Sequence, residues 1–154
     1  MDGYARLAGE LTLLLRVMKD LHAYALEQTH LPCELAGAVV LARLEALGPV
    51  RLTELAAALG LDPSSVSRQV TALEKEGLVA REKDPTDQRA LHLVLTERGT
   101  SAVGALRQVR AEALATLTPD WTSTEIDDLT DRVARLRTDI TAHRALLGTR
   151  QETA

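Results

Sequence analysis

Ser64, Ser65, Ser67, Arg68 and Thr71 are the residues of this 154-residue chain whose types and spacing suit a definite chemistry. They follow Asp62 and Pro63 on a stretch where Val66, Val70, Leu73 and Gly77 recur at steps of four, three and four, the spacing of one helix face. The remaining face is small and polar at its N-terminal end and carries one cation. Hydroxyls both donate and accept, the free amides and dipole of a helix start favour phosphate, and arginine can bond a guanine edge at two points. Side chains this short let a helix approach base edges, so the pattern predicts a helix that enters a DNA groove. Taken alone, a serine-rich helix start has a plainer role as a cap.

The flanking residues say how such a helix would be held. Leu52, Leu55, Ala56 and Leu59 recur at helical spacing, and Gly60 follows where a left-handed cap is needed. Asp62 offers a capping oxygen, and Pro63 occupies a first helical position, where its missing N–H goes unnoticed. Beyond Gly77, the run Leu78 to Lys83 and the alternating Leu91, Leu93 and Leu95 predict two strands, joined by Asp84, Pro85, Thr86, Asp87 and Gln88. Helix, turn, helix and hairpin in this order predict a winged helix-turn-helix that reads DNA.

The runs LEKEGLVARE, DPTDQRA and LTERG, at the spacings found here, resemble the MarR (multiple antibiotic resistance regulator) family. The resemblance implies that Arg89 is the wing arginine that enters the minor groove and that Asp87 orients it. Gln88 stands where the family often has a second cation, which implies a weaker grip on phosphate. The resemblance also implies a homodimer whose first and last helices interlock. Its two reading heads would meet double-stranded DNA at a near-palindromic operator with half-sites about 34–36 Å apart. The implied activity is transcription regulation by a repressor that a small-molecule effector releases from DNA.

Composition bounds this reading. With 45% hydrophobic residues, the chain can bury a substantial core as one unit over 1–154. The fold class expected is mainly α with a small β-hairpin wing (α+β), the winged helix-turn-helix domain spanning 34–99 and helical dimerisation regions 1–30 and 100–148. The net charge of −4 argues against nucleic acid, and so does the count from Arg51 to Gly99 of 7 Lys/Arg against 8 Asp/Glu. Binding depends on where charge sits, so Arg51, Arg68, Arg81, Lys83 and Arg89 are expected along one face, with Glu74, Glu76 and Glu82 turned away. The single cysteine, Cys33, excludes an internal disulfide framework. No apolar run reaches the ~18 residues of a membrane span, and the first residues lack a basic-then-apolar leader, which predicts a cytoplasmic protein with no membrane partner.

Four further helices are expected. From Tyr4 to Gln28, Leu7, Leu11, Leu14, Met18, Leu21 and Ala25 recur at steps of three and four, and Leu13, Leu15 and Val17 widen the apolar face. A helix apolar on more than one side must be covered on more than one side, which a partner chain would do. A second helix, Glu34 to Leu47, places Leu35, Val39, Val40, Leu44 and Leu47 inward. A third long helix opens at Thr96 and Glu97 and runs to Thr118. The last begins near Ser123 and carries Leu129, Val133, Leu136, Ile140, His143 and Leu147 in a coiled-coil-like seam.

Other chemistries fit less well. No phosphate-cradling glycine loop and no paired histidines on one helix face appear, so no enzyme and no cofactor are expected. Glu27, His30, Cys33 and Glu34 cluster near the end of the first helix, but one His and one Cys do not make a metal site. Cys33 is expected to be an inert, partly buried thiol rather than a peroxide sensor. An aromatic effector pocket would have to draw on Tyr4, Tyr24 or Trp121, with Arg16 or His22 as a carboxylate partner, and no effector residue is assigned. The alternatives are a winged-helix protein-interaction module without DNA binding, which the acidic balance favours, and a thiol- or metal-responsive regulator of the same family.

Overall fold

In the computed structural model, which describes residues 2–83 and 91–143, the chain is mainly helical with a two-stranded antiparallel wing. The order is α1 (Asp2–Thr29), α2 (Leu35–Leu47), α3 (Leu52–Leu59), α4 (Pro63–Lys75), β1 (Val79–Lys83), β2 (Leu91–Leu95), α5 (Glu97–Leu117) and α6 (Ser123–His143). These elements divide into two compact units, Met1–Leu114 and Ala115–Ala154.

Within the first unit, the ends of the helices are set by local chemistry. Gly60 ends α3 at φ 65°, its N–H donating to Ala57 and that of Leu61 to Ala56. Gly77 ends α4 in the same way at φ 68°, with Gly77 N–H donating to Glu74 and Leu78 N–H to Leu73. Both are the paired reverse bonds of a left-handed helix stop, a conformation that glycine adopts without Cβ strain. His30 takes the left-handed position after α1 (φ 50°), so it serves as a backbone stop for that helix. At the other end of the core, Glu54 accepts from the N–H of Arg51 and so satisfies a free donor before α3.

The core of this unit lies where α4 packs on α2, α3 and β1. Leu41, Leu44, Leu55, Val66, Val70, Leu73, Leu78 and Leu93 are fully buried in it. Gly37 in α2 permits close packing: Leu73 Cδ2 stands 3.3 Å from where a Cβ would be. The inward face of α2 is Val40, Leu41 and Leu44, while Leu35, Val39 and Leu47 are exposed, contrary to expectation. This helix is apolar nearly all round, so periodicity alone does not choose its inner face. Leu91 is likewise exposed because, paired with Lys83 at the outer end of the hairpin, it lies beyond the core.

One strand-like pairing has no counterpart in the sequence reading. After the turn at Gly48 (φ 71°), Val50 exchanges backbone bonds with Leu93, at 3.2 and 2.8 Å, and so covers the free edge of β2. Helix α1 buries only Leu21 and Ala25; Ala25 meets Ala38 of α2 and Leu106 of α5 in a second, smaller cluster. In the second unit, α6 is capped by Thr122, which exchanges bonds with Glu125, and buries none of its residues.

Gly99, in the first turn of α5, has no room for a side chain: a Cβ there would stand 2.0 Å from the carbonyl oxygen of Leu78. Gly99→Ala is expected to destabilise the fold by about 1–3 kcal/mol or more, the cost of overpacking a site whose obstacle is backbone. Denaturant unfolding measures this, and an unchanged midpoint would show that α5 does not press on Leu78.

Candidate nucleic-acid interface

The orientation of α4 follows from its burial. With Val66, Val70 and Leu73 turned into the core, Ser64, Arg68 and Thr71 are exposed and Ser67 is half-buried beside them. These four lie at steps of three and four, one stripe along the helix. Ser65 is also half-buried, and Arg68 Nη2 donates to its hydroxyl at 3.2 Å, so one member of the expected set orients another. Asp62 accepts from the N–H of Ser65 at 2.8 Å and from the Ser64 hydroxyl. Those bonds to the charged form hold its carboxyl well below the usual range. The expected wing residues Asp87 and Arg89 lie outside the described residues, in the segment that joins β1 to β2.

The expected separation of charge is overturned at one point. Arg81 Nε of β1 donates to Glu74 Oε1 of α4 at 2.9 Å, so this cation and this acid are partners rather than residents of opposite faces. Strand β1 follows α4 after a tight turn, which brings the two side chains together. The start of α5 also holds the end of α4: Thr96 Oγ1 donates to Gly77 O and Arg98 Nη1 to Glu76 O, both at 2.7 Å.

The first unit also holds a concave site, whose two arginines are not among the residues expected for an effector pocket. A cavity of about 240 Å³ is lined by apolar Ala38, Val39, Ala42 and Leu59 together with His22, Arg43 and Arg110. The Nε atoms of Arg43 and Arg110 are buried with no hydrogen-bond partner among the described residues. Burial also pushes the Arg110 guanidinium below its ordinary range. Two guanidinium Nε–H groups without acceptors beside an apolar wall suit a small anion with an apolar body. Of the expected partners His22 lines this cavity, while Tyr4, Tyr24 and Arg16 do not. The legible signal was Arg43, the one cation in an otherwise nearly apolar helix.

Cys33 is half-buried just before α2, against Gly37 and beside a cavity that Arg68 and Gln69 also line. Burial pushes its thiol up, which lowers the thiolate fraction that peroxide would attack. Among the described residues, no three His, Cys, Asp or Glu side chains are grouped to hold a metal ion, so Glu27, His30, Cys33 and Glu34 are not brought together as ligands. No helix among the described residues is long and apolar enough to cross a membrane.

Helix, glycine turn, polar-faced helix and antiparallel wing define a winged helix-turn-helix protein. Residues 35–91 match the model of the MarR family. An uncharacterised helix-turn-helix-type transcriptional regulator of Bacillus subtilis (strain 168), YxaD, is 36% identical over 87 residues. The match covers 56% of this chain and 61% of that relative, so it spans about three fifths of the relative's length. A MarR family protein from Bacillus stearothermophilus superposes with a TM-score of 0.71 at 26% identity, over 89% of this chain and 97% of that one. Apo wild-type MarR from E. coli superposes with a TM-score of 0.65 at 25% identity, over 83% and 95% of the two chains. Over residues 35–91 the chain is similar to the MarR family.

The cap of α4 gives a pH test. Because the native pKa of Asp62 is depressed, its contribution to stability is present above the unfolded value of about 3.9 and is lost as pH falls through the native value. Asp62→Ala is expected to melt below wild type at pH 7, with the two melting temperatures converging as the pH is lowered beneath 3.9 or so. A difference that stayed constant down to strongly acidic pH would mean that the capping bonds do not act through the ionised carboxylate.

Proposed function

We propose that this protein is a DNA-binding transcription regulator, not an enzyme: a cytoplasmic homodimer that represses from a near-palindromic operator and is released by an effector. The observation that carries the reading is the stripe of Ser64, Ser67, Arg68 and Thr71 on the outer face of α4, with Ser65 orienting Arg68 and a wing alongside. In this reading the small hydroxyls let the helix seat in the major groove, Arg68 reads a base edge, and the first turn of α4 receives a phosphate. Arg89, oriented by Asp87, reaches the minor groove from the wing. Residues 34–99 form the reading domain and lie within the first unit.

The assembly rests on apolar surface with no partner within its own unit. On α1, Leu13, Leu15 and Val17 are exposed along with Tyr4. On α6, Ile126, Leu129, Val133 and Ile140 are exposed at the three- and four-residue steps of a coiled-coil seam, with Leu136 half-buried among them. Such faces are covered economically by a second copy, with 1–30 and 100–148 as the dimerisation regions, and a pair of heads then matches two half-sites. The cavity at Arg43 and Arg110 supports release by a small anion, because α1, α2, α3 and α5 all contribute to its wall.

A second reading, a winged-helix interaction module without DNA binding, draws on the net charge of −4. Selection from a random duplex pool followed by a salt titration separates the two. DNA binding predicts that log affinity falls linearly with log salt concentration, whereas no binding even at low salt favours the interaction module. On the selected duplex, Arg68→Ala is expected to cost about 1–3 kcal/mol and relax preference at one base position. Equal weakening on every sequence would reassign Arg68 to phosphate. Leu136→Asp places a charge in the seam of both copies, so sedimentation should show monomer and full-site binding should collapse to half-site affinity. A variant that stayed dimeric would remove α6 from the interface.

A further inference from the structure

We infer that Arg98 is a positioning residue for DNA reading, holding the far end of the recognition helix α4 at a fixed angle rather than contacting DNA itself. The inference rests on the proposed DNA-reading role of α4. Three consecutive carbonyls just past the last turn of α4 accept from the start of α5: Glu76 O from Arg98 Nη1 at 2.7 Å, Gly77 O from Thr96 Oγ1 at 2.7 Å, and Leu78 O from the Thr96 N–H at 3.2 Å. Thr96 Oγ1 in turn accepts from the Gly99 N–H at 2.9 Å, so the same hydroxyl caps α5. The absent side chain of Gly99 lets α5 press directly on Leu78.

Arg98 is misplaced by local rules. It is the second residue of α5, where the positive end of the helix dipole disfavours a cation. Its guanidinium instead reaches the C-terminal end of α4, where the dipole has the opposite sign and backbone acceptors are available. A charge that is unfavourable in its own helix and favourable in the next one argues for a role between the two. Together with the Arg81–Glu74 pair to β1, the bond makes α4, the wing strands and the first turn of α5 one body.

The leverage is geometric. Ser64 and Glu76 lie roughly 18 Å apart along the helix axis at 1.5 Å per residue, so a tilt of about 5° at the held end moves the reading end by roughly 1.6 Å. A displacement of that size separates a bonded base edge from an unbonded one.

The test compares wild type, Arg98→Ala and Arg98→Lys on the selected duplex and on a scrambled one, across a salt series well below each melting temperature. Arg98→Ala is expected to lose about tenfold in affinity for the selected duplex and little for the scrambled one, with the slope of log affinity against log salt unchanged. Arg98→Lys, which keeps a donor and a positive charge within reach of Glu76 O, is expected to recover most of that loss. A slope shallower by about one would make Arg98 a phosphate ligand and overturn the inference. So would a variant that melts lower yet binds normally, which is what a purely structural bond produces. If Arg98→Ala does not fold, Arg98→Gln, which keeps most of the stem, is read by the same criteria. Wild-type protein that binds no selected duplex would instead sink the DNA reading itself.

Discussion

The burial of Val66, Val70 and Leu73 is the constraint on which the rest of the reading head depends. Each side chain stabilises the fold by about 1.5–3 kcal/mol when fully buried, whereas a helix cap contributes typically about 1 kcal/mol. Packing therefore sets the rotation of α4 about its axis, and the caps set where it starts and stops. Once those three residues face α2, α3 and β1, the stripe of Ser64, Ser67, Arg68 and Thr71 has no direction left but outward. The same burial fixes the place from which the wing departs, because Leu78 and Leu93 belong to the same core.

The two ends of α4 are held by different means. At its start, Asp62 accepts from the Ser65 amide and the Ser64 hydroxyl through its carboxylate and from the Val66 amide through its carbonyl, so the side chain and backbone of one residue cap the first turn. At its end, the left-handed Gly77 reverses the chain, and the first residues of α5 take up the carbonyls that follow. A helix capped at its start and held at its end suits the presentation of a polar stripe. Arg81 and Glu74 brace the same helix from the wing side, which removes one cation from the pool available to phosphate.

The remaining surface divides between polar and unpartnered apolar regions. α6 buries nothing within its unit, and most of α1 beyond Leu21 and Ala25 is exposed, although both carry regular apolar patterns. Surface of this kind is uncommon on a chain that works alone. The cavity at Arg43 and Arg110 is the opposite case, a place where the Nε atoms of two arginines are buried without acceptors among the described residues. Its wall draws on four helices, so occupancy there bears on how they pack.

What the sequence determined by itself was local: Gly60 and Asp62–Pro63 as the turn, Val66, Val70 and Leu73 as the inner face of α4, the hairpin, and the seam pattern of α6. Each of these follows from a backbone preference or a periodicity that neighbouring residues carry. Tertiary structure decided matters where the local signal was degenerate or the partner was distant. The inner face of α2 could not be read because nearly every face of that helix is apolar; the packing of Leu73 over Gly37 chose it. Val50 pairing with Leu93, Arg81 with Glu74, and Arg98 with Glu76 all join residues that no spacing rule connects. Arg43 and Arg110 lie on different helices, and only the packing of those helices gives their guanidinium groups a common cavity.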